Sequence, residues 1–207
     1  MIKTILLYDN EDERLGDFFC LCANKYQYLH NSYFSQNAII EYKSNSSKNE
    51  IELSVSKYNN SNFLFISYLH GADDAMYMSN EIIISDENAY LFANAFCYTF
   101  SCYCGKHLAT RLLDNGARVF WGYIDKAYTI TDYEDDFAEL AISGLNHFLQ
   151  NVSIENAYNK VKKEYTTKMD AVYQENFFVA ATLLHNRDSM VVLGDTNISI
   201  ADLITQE

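Results

Sequence analysis

Two apolar runs in the chain end in residues capable of nucleophilic chemistry. Phe63-Leu64-Phe65-Ile66-Ser67-Tyr68 leads through Leu69 into His70-Gly71, and Phe96-Cys97-Tyr98-Thr99-Phe100 leads into Ser101-Cys102-Tyr103-Cys104-Gly105. On neighbouring strands of a parallel sheet the two carboxyl ends would share one edge, and an imidazole would stand beside a thiol. A thiol at its ordinary pKa of about 8.5 is only slightly ionised at neutral pH, so a nucleophilic cysteine needs a base, a positive charge or a helix N-terminus close by. His70 supplies the first for Cys102, and a helix beginning near Gly105 would supply the last. Gly71 and Gly105 let the backbone come close to a substrate carbonyl, and the N–H groups of Gly71 and Cys102 are natural donors to a developing oxyanion.

The elements that must hold these residues alternate between strand and helix. Residues 3–8 form an apolar strand, and a helix follows in which Leu15, Phe18, Phe19, Cys22 and Ala23 share a face. Ala38–Tyr42 and Ile51–Val55 read as two short strands, a hairpin or two edge strands, around the polar segment 43–49. After His70-Gly71 a loop begins at Ala72-Asp73-Asp74, Glu81–Ser85 reads as a short strand, and Asp86 as the cap of a helical turn through Ala93. Gly105–Asn115 carries Leu108, Leu112 and Leu113 on one face and stops at Gly116, so residues 96–123 make a strand–helix–strand unit with a right-handed crossover. Residues 133–149 and 153–167 are two amphipathic helices, Phe177–Leu184 continues as helix, Met190–Gly194 is a final strand and Ile198–Thr205 a short closing element. The alternation predicts an α/β fold.

At 207 residues the chain suits a single domain with a full core. No apolar run reaches the roughly 18 residues a membrane span requires, and nothing at the N-terminus reads as an export signal. A net charge of -13 argues against nucleic acid as a partner and favours basic protein segments. The five cysteines, an odd number, read as free thiols in a reducing, cytoplasmic setting.

The residues around the two strand ends resemble the caspase-like cysteine peptidases, the broad group of caspases, metacaspases, gingipains, clostripain, separase and bacterial caspase-like domains. The shared signature is an apolar strand ending in His-Gly and, some thirty residues on, another ending in a small residue, Cys, any residue, a small residue and Gly. Here these are Tyr68-Leu69-His70-Gly71 and Ser101-Cys102-Tyr103-Cys104-Gly105. Leu108-Ala109 and the stretch Asn115–Tyr123 are similar to the helix and the Gly-Ala strand that follow in the group, and Leu193-Gly194-Asp195-Thr196 is similar to a late strand and turn, with Thr in place of Pro. The likeness covers residues 60–125 and, more faintly, 180–196.

The resemblance implies a three-layer α/β/α domain over residues 1–207, with a mainly parallel sheet of about six strands, and a cysteine endopeptidase acting on proteins or peptides without a cofactor. It implies His70 as base or proton shuttle, Cys102 as nucleophile, and Gly71 with Cys102 as backbone oxyanion donors. Cys104 departs from the pattern, standing where many members have Ser or Thr. An acidic wall selecting Arg or Lys before the cut has three rival sources: Asp73, Asp125 and the group beginning at Asp132. The alternative that the resemblance allows is a latent or inactive regulatory subunit, a bacterial effector controlled by an activating partner protein.

Plainer readings compete with each of these. A single cysteine after a buried strand is more often a small core residue than a nucleophile. His107 is a rival partner for Cys102 but falls in the helix. Cys20-Leu21-Cys22 with Cys102-Tyr103-Cys104 has the wrong spacing for structural zinc, and Asp132, Glu134, Asp135 and Asp136 suit an ordinary solvated helix start.

Overall fold

The computed structural model describes residues 2–34 and 38–204. Along the chain these form β1 (Ile2–Tyr8), α1 (Gly16–Phe34), β2 (Ala38–Ser44), α2 (Lys48–Ser56), β3 (Phe63–Tyr68), β4 (His70–Gly71), β5 (Met76–Met78), β6 (Glu81–Ile84), β7 (Ala95–Phe100), α3 (His107–Asp114), β8 (Val119–Tyr123), α4 (Glu134–Leu149), α5 (Ile154–Val172), α6 (Phe177–Ser189) and β9 (Met190–Gly194). Short 3-10 turns sit at Ala89–Phe92, Thr131–Tyr133 and Ile200–Leu203, and Thr205 lies outside the described residues.

Six strands make the central sheet in the order β2-β1-β3-β7-β8-β9. The first five are mutually parallel and β9 runs antiparallel to β8. Every residue of β3 and β7 is buried, as central parallel strands covered on both faces require. Their side chains alternate between two cores. Leu64, Ile66, Tyr68, Phe96, Tyr98 and Phe100 join α1, α4, α5 and α6 on one side. Phe63, Phe65 and Cys97 join α2, α3 and the small sheet β4-β5-β6 on the other. The alternating elements form the expected α/β fold, in the three-layer α/β/α arrangement that the resemblance implies. Among the described residues no helix is long and apolar enough to cross a membrane.

Residues 38–55 differ from the expected pair of strands. Ala38–Ser44 is a strand, but Ile51–Val55 belongs to α2, which buries Ile51 and Val55 one turn apart. The signal is Ser47-Lys48-Asn49-Glu50: the Glu50 carboxylate accepts hydrogen bonds from the Ser47 N–H at 2.9 Å and its hydroxyl at 2.8 Å, tying off the start of a helix. The turn at Ala89–Phe92 is likewise begun by Asn88, whose amide is buried and donates to the Ile83 carbonyl, while Asp86 pairs instead with Arg111. The β5–β6 hairpin turns through Ser79 and Asn80, both left-handed with φ of 48° and 68°, the conformation a tight two-residue hairpin needs. Buried Asp9, just past β1, clamps this turn by accepting the Ser79 N–H at 2.8 Å.

β1 starts, and the Ile200–Leu203 turn closes, at the amino edge of the parallel strands. β9 descends from Met190, opposite Tyr123, to Gly194, opposite Val119, and Asn62, just ahead of β3, donates to the Asp202 carbonyl. On the helical side α4 lies so close to the sheet that a Cβ on Gly144 would come within 2.7 Å of the Trp121 ring and 2.9 Å of the Tyr98 hydroxyl. Gly144→Ala is therefore expected to destabilise the protein by about 1–3 kcal/mol, since an overpacked core must shift its helix; urea denaturation monitored by Trp121 fluorescence measures it.

Candidate active site

The strand order places three chemically able residues side by side. Asp12 follows β1, His70 follows β3 and Cys102 follows β7, and β1, β3 and β7 are consecutive neighbours in the sheet. Between β1 and β3 the chain order reverses, one connection passing to each face, and this switch point opens a crevice at the carboxyl ends of the strands. Asp12 and His70 straddle it. His70 Nε2 lies 2.8 Å from Asp12 Oδ2, and the Phe19 ring meets the imidazole edge-on at 5.8 Å. With Nε2 so engaged, Nδ1 is the nitrogen left to exchange a proton.

Asp12 was not legible as a site residue, because it stands in the acidic run 9–13 that resembles any solvated turn. Its Oδ1 accepts the N–H groups of Leu15 at 2.7 Å and Arg14 at 3.0 Å while Oδ2 faces His70. Partial burial alone would raise the carboxyl, but the Leu15 N–H, His70 and the Arg14 N–H together hold it below the usual carboxylate value.

Gly71 brings the two strand endings into contact. A Cβ there would lie 2.4 Å from the Cys102 carbonyl oxygen, 2.5 Å from Cys104 Sγ and 3.0 Å from Ser101 Cβ, so only glycine lets the His70 backbone reach the Cys102 loop. Beneath the loop runs a buried hydroxyl chain: Ser67 donates to Thr99 at 2.9 Å and Thr99 to Ser101 at 2.7 Å. Tyr103, left-handed at φ 63°, turns the chain sharply after Cys102. Its N–H donates to the Asp125 carbonyl and that of Gly105 to the Tyr123 carbonyl. The Cys102 N–H makes no backbone–backbone hydrogen bond among the described residues and faces its own thiol.

The two thiols differ in environment. Cys104 is fully buried, donates weakly to the Ala75 carbonyl at 3.6 Å, and burial pushes its pKa far up. Cys102 is half-buried, and its Sγ lies 3.8 Å from the Ala127 carbonyl oxygen. Burial raises its pKa above the ordinary thiol value. The Ala127 backbone, Lys126 and the Cys102 N–H act the other way and lower it, but burial outweighs them. At the start of α3, the Leu108 N–H is taken by the Asp73 carbonyl and that of Ala109 by the Cys104 carbonyl. His107 opens α3 exposed to solvent, its side chain without a hydrogen bond or ion pair to the described residues.

The pocket carboxylates separate in the same way. Asp73 pairs with Lys106 at 3.4 Å. Asp125 is exposed beside the Cys102 loop, on a groove of about 480 Å³ shared with Lys106, Ile124, Leu184, His185 and Asp188. Asp132 is exposed in the turn before α4. Further along this stretch Asp135 pairs with Lys25 at 2.8 Å and Asp136 with Lys168, tying α4 to α1 and α5. Among the described residues no group of three or more His, Cys, Asp or Glu side chains is placed to hold a metal.

No protein-family model matches the chain, and neither does any curated protein sequence. Solved structures do. The crystal structure of the Arg specific cysteine proteinase gingipain R superposes with a TM-score of 0.61 at 15% identity over 95% of this chain and 47% of that one. The complex of the pro- and mature domains of the Porphyromonas gingivalis enzyme gives 0.63 at 14% identity over 95% and 48%. The chain thus spans about half the length of these structures. At such identity the likeness shows the fold, which is caspase-like, and a fold carries many functions.

The Asp12–His70 contact has a signature in stability. A carboxyl held below its unfolded value contributes stability that is complete above the unfolded pKa of about 3.8 and lost as pH falls through the lower folded value. Asp12→Asn is therefore expected to lower stability at pH 7 and to flatten the acid limb below pH 4 in thermal denaturation; an unchanged limb would mean that the contact is inconsequential.

Proposed function

We propose that this caspase-like chain is a cysteine endopeptidase, with Cys102 as nucleophile, His70 as proton shuttle and Asp12 as the group that fixes the imidazole. The observation that carries this reading is the succession of carboxylate, imidazole and thiol on three adjacent strand ends, with Asp12 and His70 already in hydrogen-bond contact. The likeness to cysteine proteinases supports the class.

In the proposed reaction the Cys102 proton passes to His70 Nδ1 as Sγ adds to the scissile carbonyl carbon. The oxyanion is met by the N–H groups of Gly71 and Cys102. The imidazolium, steadied by Asp12, returns the proton to the departing amine, leaving a thioester. Water then gives a proton to His70 while its oxygen attacks the thioester, and the acid product and the free thiol are released. A basic residue before the cut fits the surplus negative charge and the exposed Asp125, and gingipain R, the structural neighbour, is Arg specific. Asp73, already paired with Lys106, and Asp132, in the turn before α4, are the rival sources of that preference.

One observation favours a second reading, a latent subunit awaiting a protein partner. The Cys102 thiol is hydrogen-bonded to a backbone carbonyl and raised by burial, which suits a resting state better than an attacking one. The gingipain complex with its pro-domain is a precedent for such a partner in a protein of this fold.

Cys102→Ala should abolish cleavage of a fluorogenic Arg or Lys peptide, by at least about a thousandfold, with an unchanged thermal transition. His70→Ala should do nearly the same, Asp12→Asn should cost less, and Cys104→Ala should retain most activity. Full activity in Cys102→Ala would overturn the reading.

A further inference from the structure

The carbonyl that caps the Cys102 thiol belongs to segment 124–128, an extended strap leaving β8. Its residues alternate in what they bind. Toward α6, the Ile124 N–H donates to the Ser189 carbonyl at 2.8 Å, and the Lys126 carbonyl lies 2.9 Å from His185 Nε2. Tyr128 is bracketed by Asn186, accepting from its Nδ2 at 2.7 Å and donating to its Oδ1 at 2.9 Å. Toward the Cys102 loop, the Asp125 carbonyl accepts the Tyr103 N–H at 3.1 Å, and the Ala127 carbonyl faces Cys102 Sγ at 3.8 Å.

α6 is thus joined to the thiol through one short run of backbone. Asn186 is fully buried and spends its amide on the strap, and the Tyr128 ring packs edge-on against His185 at 5.2 Å. An asparagine satisfying both backbone groups of one residue fixes that residue as a β-ladder partner would.

We propose that His185 and Asn186 are positioning residues: they latch the strap across Cys102, so the nucleophile stays covered until the latch opens. This rests on the reading of Cys102 as nucleophile and adds the element that regulates it. Because the strap contacts Cys102 through the Ala127 backbone, the control lies in α6 and not in the identity of residue 127.

The test compares alkylation rates of two thiols in one folded protein. Cys20, half-buried on α1, serves as the internal reference. In native protein treated with iodoacetamide and mapped by mass spectrometry, His185→Ala is expected to raise the Cys102 rate about fivefold, the equivalent of one hydrogen bond, while Cys20 is unchanged. His185→Gln, which can still donate to the Lys126 carbonyl, should return toward wild type. Asn186→Asp, which keeps the acceptor for the Tyr128 N–H but loses the donor to its carbonyl, should also speed Cys102. A merely structural role would move the melting temperature and both thiols together.

Unchanged Cys102 rates in folded His185→Ala and Asn186→Asp would overturn the latch. Alkylation needs no turnover, so the two readings fail separately. A freed Cys102 in a protein that cleaves nothing would keep the latch and sink the peptidase; cleavage lost in Cys102→Ala, with alkylation indifferent to the latch variants, would do the reverse.

Discussion

The pairing of β3 with β7 is the constraint from which the rest follows. From Phe63 opposite Ala95 to Tyr68 opposite Phe100 the two strands run in unbroken parallel register, buried on both faces. Their carboxyl ends therefore have no freedom to slide, since a shift of one residue would turn every side chain to the opposite core. The paired hydroxyls of Ser67 and Thr99 sit at matching positions and hand their hydrogen bonds on to Ser101. A buried hydroxyl left without a partner is costly, so this chain also resists a slip. Gly71 then meets the Cys102 carbonyl because both strands stop level with each other.

Reactivity and packing pull on the Cys102 loop in opposite directions. The loop is anchored on every side: below by Ser101, laterally by the carbonyls of Tyr123 and Asp125, and ahead by α3, whose first N–H groups bind Asp73 and Cys104. Such anchoring fixes the sulfur's position. It also commits the Leu108 and Ala109 N–H groups of α3, and it leaves the thiol partly buried, with its pKa raised for that reason. In this conformation Asp12 and His70 are already in contact, while the Cys102 thiol lies partly buried against the Ala127 carbonyl.

Much of this was legible in the sequence. Central parallel strands must be apolar throughout, so β3 and β7 stood out as continuous runs, and the residues ending them were conspicuous. Gly116, at φ 95°, ended α3 where a left-handed residue is needed. What escaped had no local signal. Asp12 matters only because β1 lies next to β3, an adjacency that no spacing along the chain encodes. Ile51 and Val55 suit an alternating strand as well as a helical face, and the Ser47–Glu50 pairing decided between them. The strap has no periodicity of its own, because its order is supplied by Asn186 nearly sixty residues later. Asp135 and Asp136 looked like free charges until α4 was placed between Lys25 and Lys168.

The descent of β9 gives the molecule two unlike poles. Asp12, His70, Cys102 and the strap gather at one, whereas the first residues of β1 and the Ile200–Leu203 turn lie at the other. A fluorescent reporter attached beside Asn62 or Asp202 would therefore sit at the pole away from the crevice and leave it unobstructed.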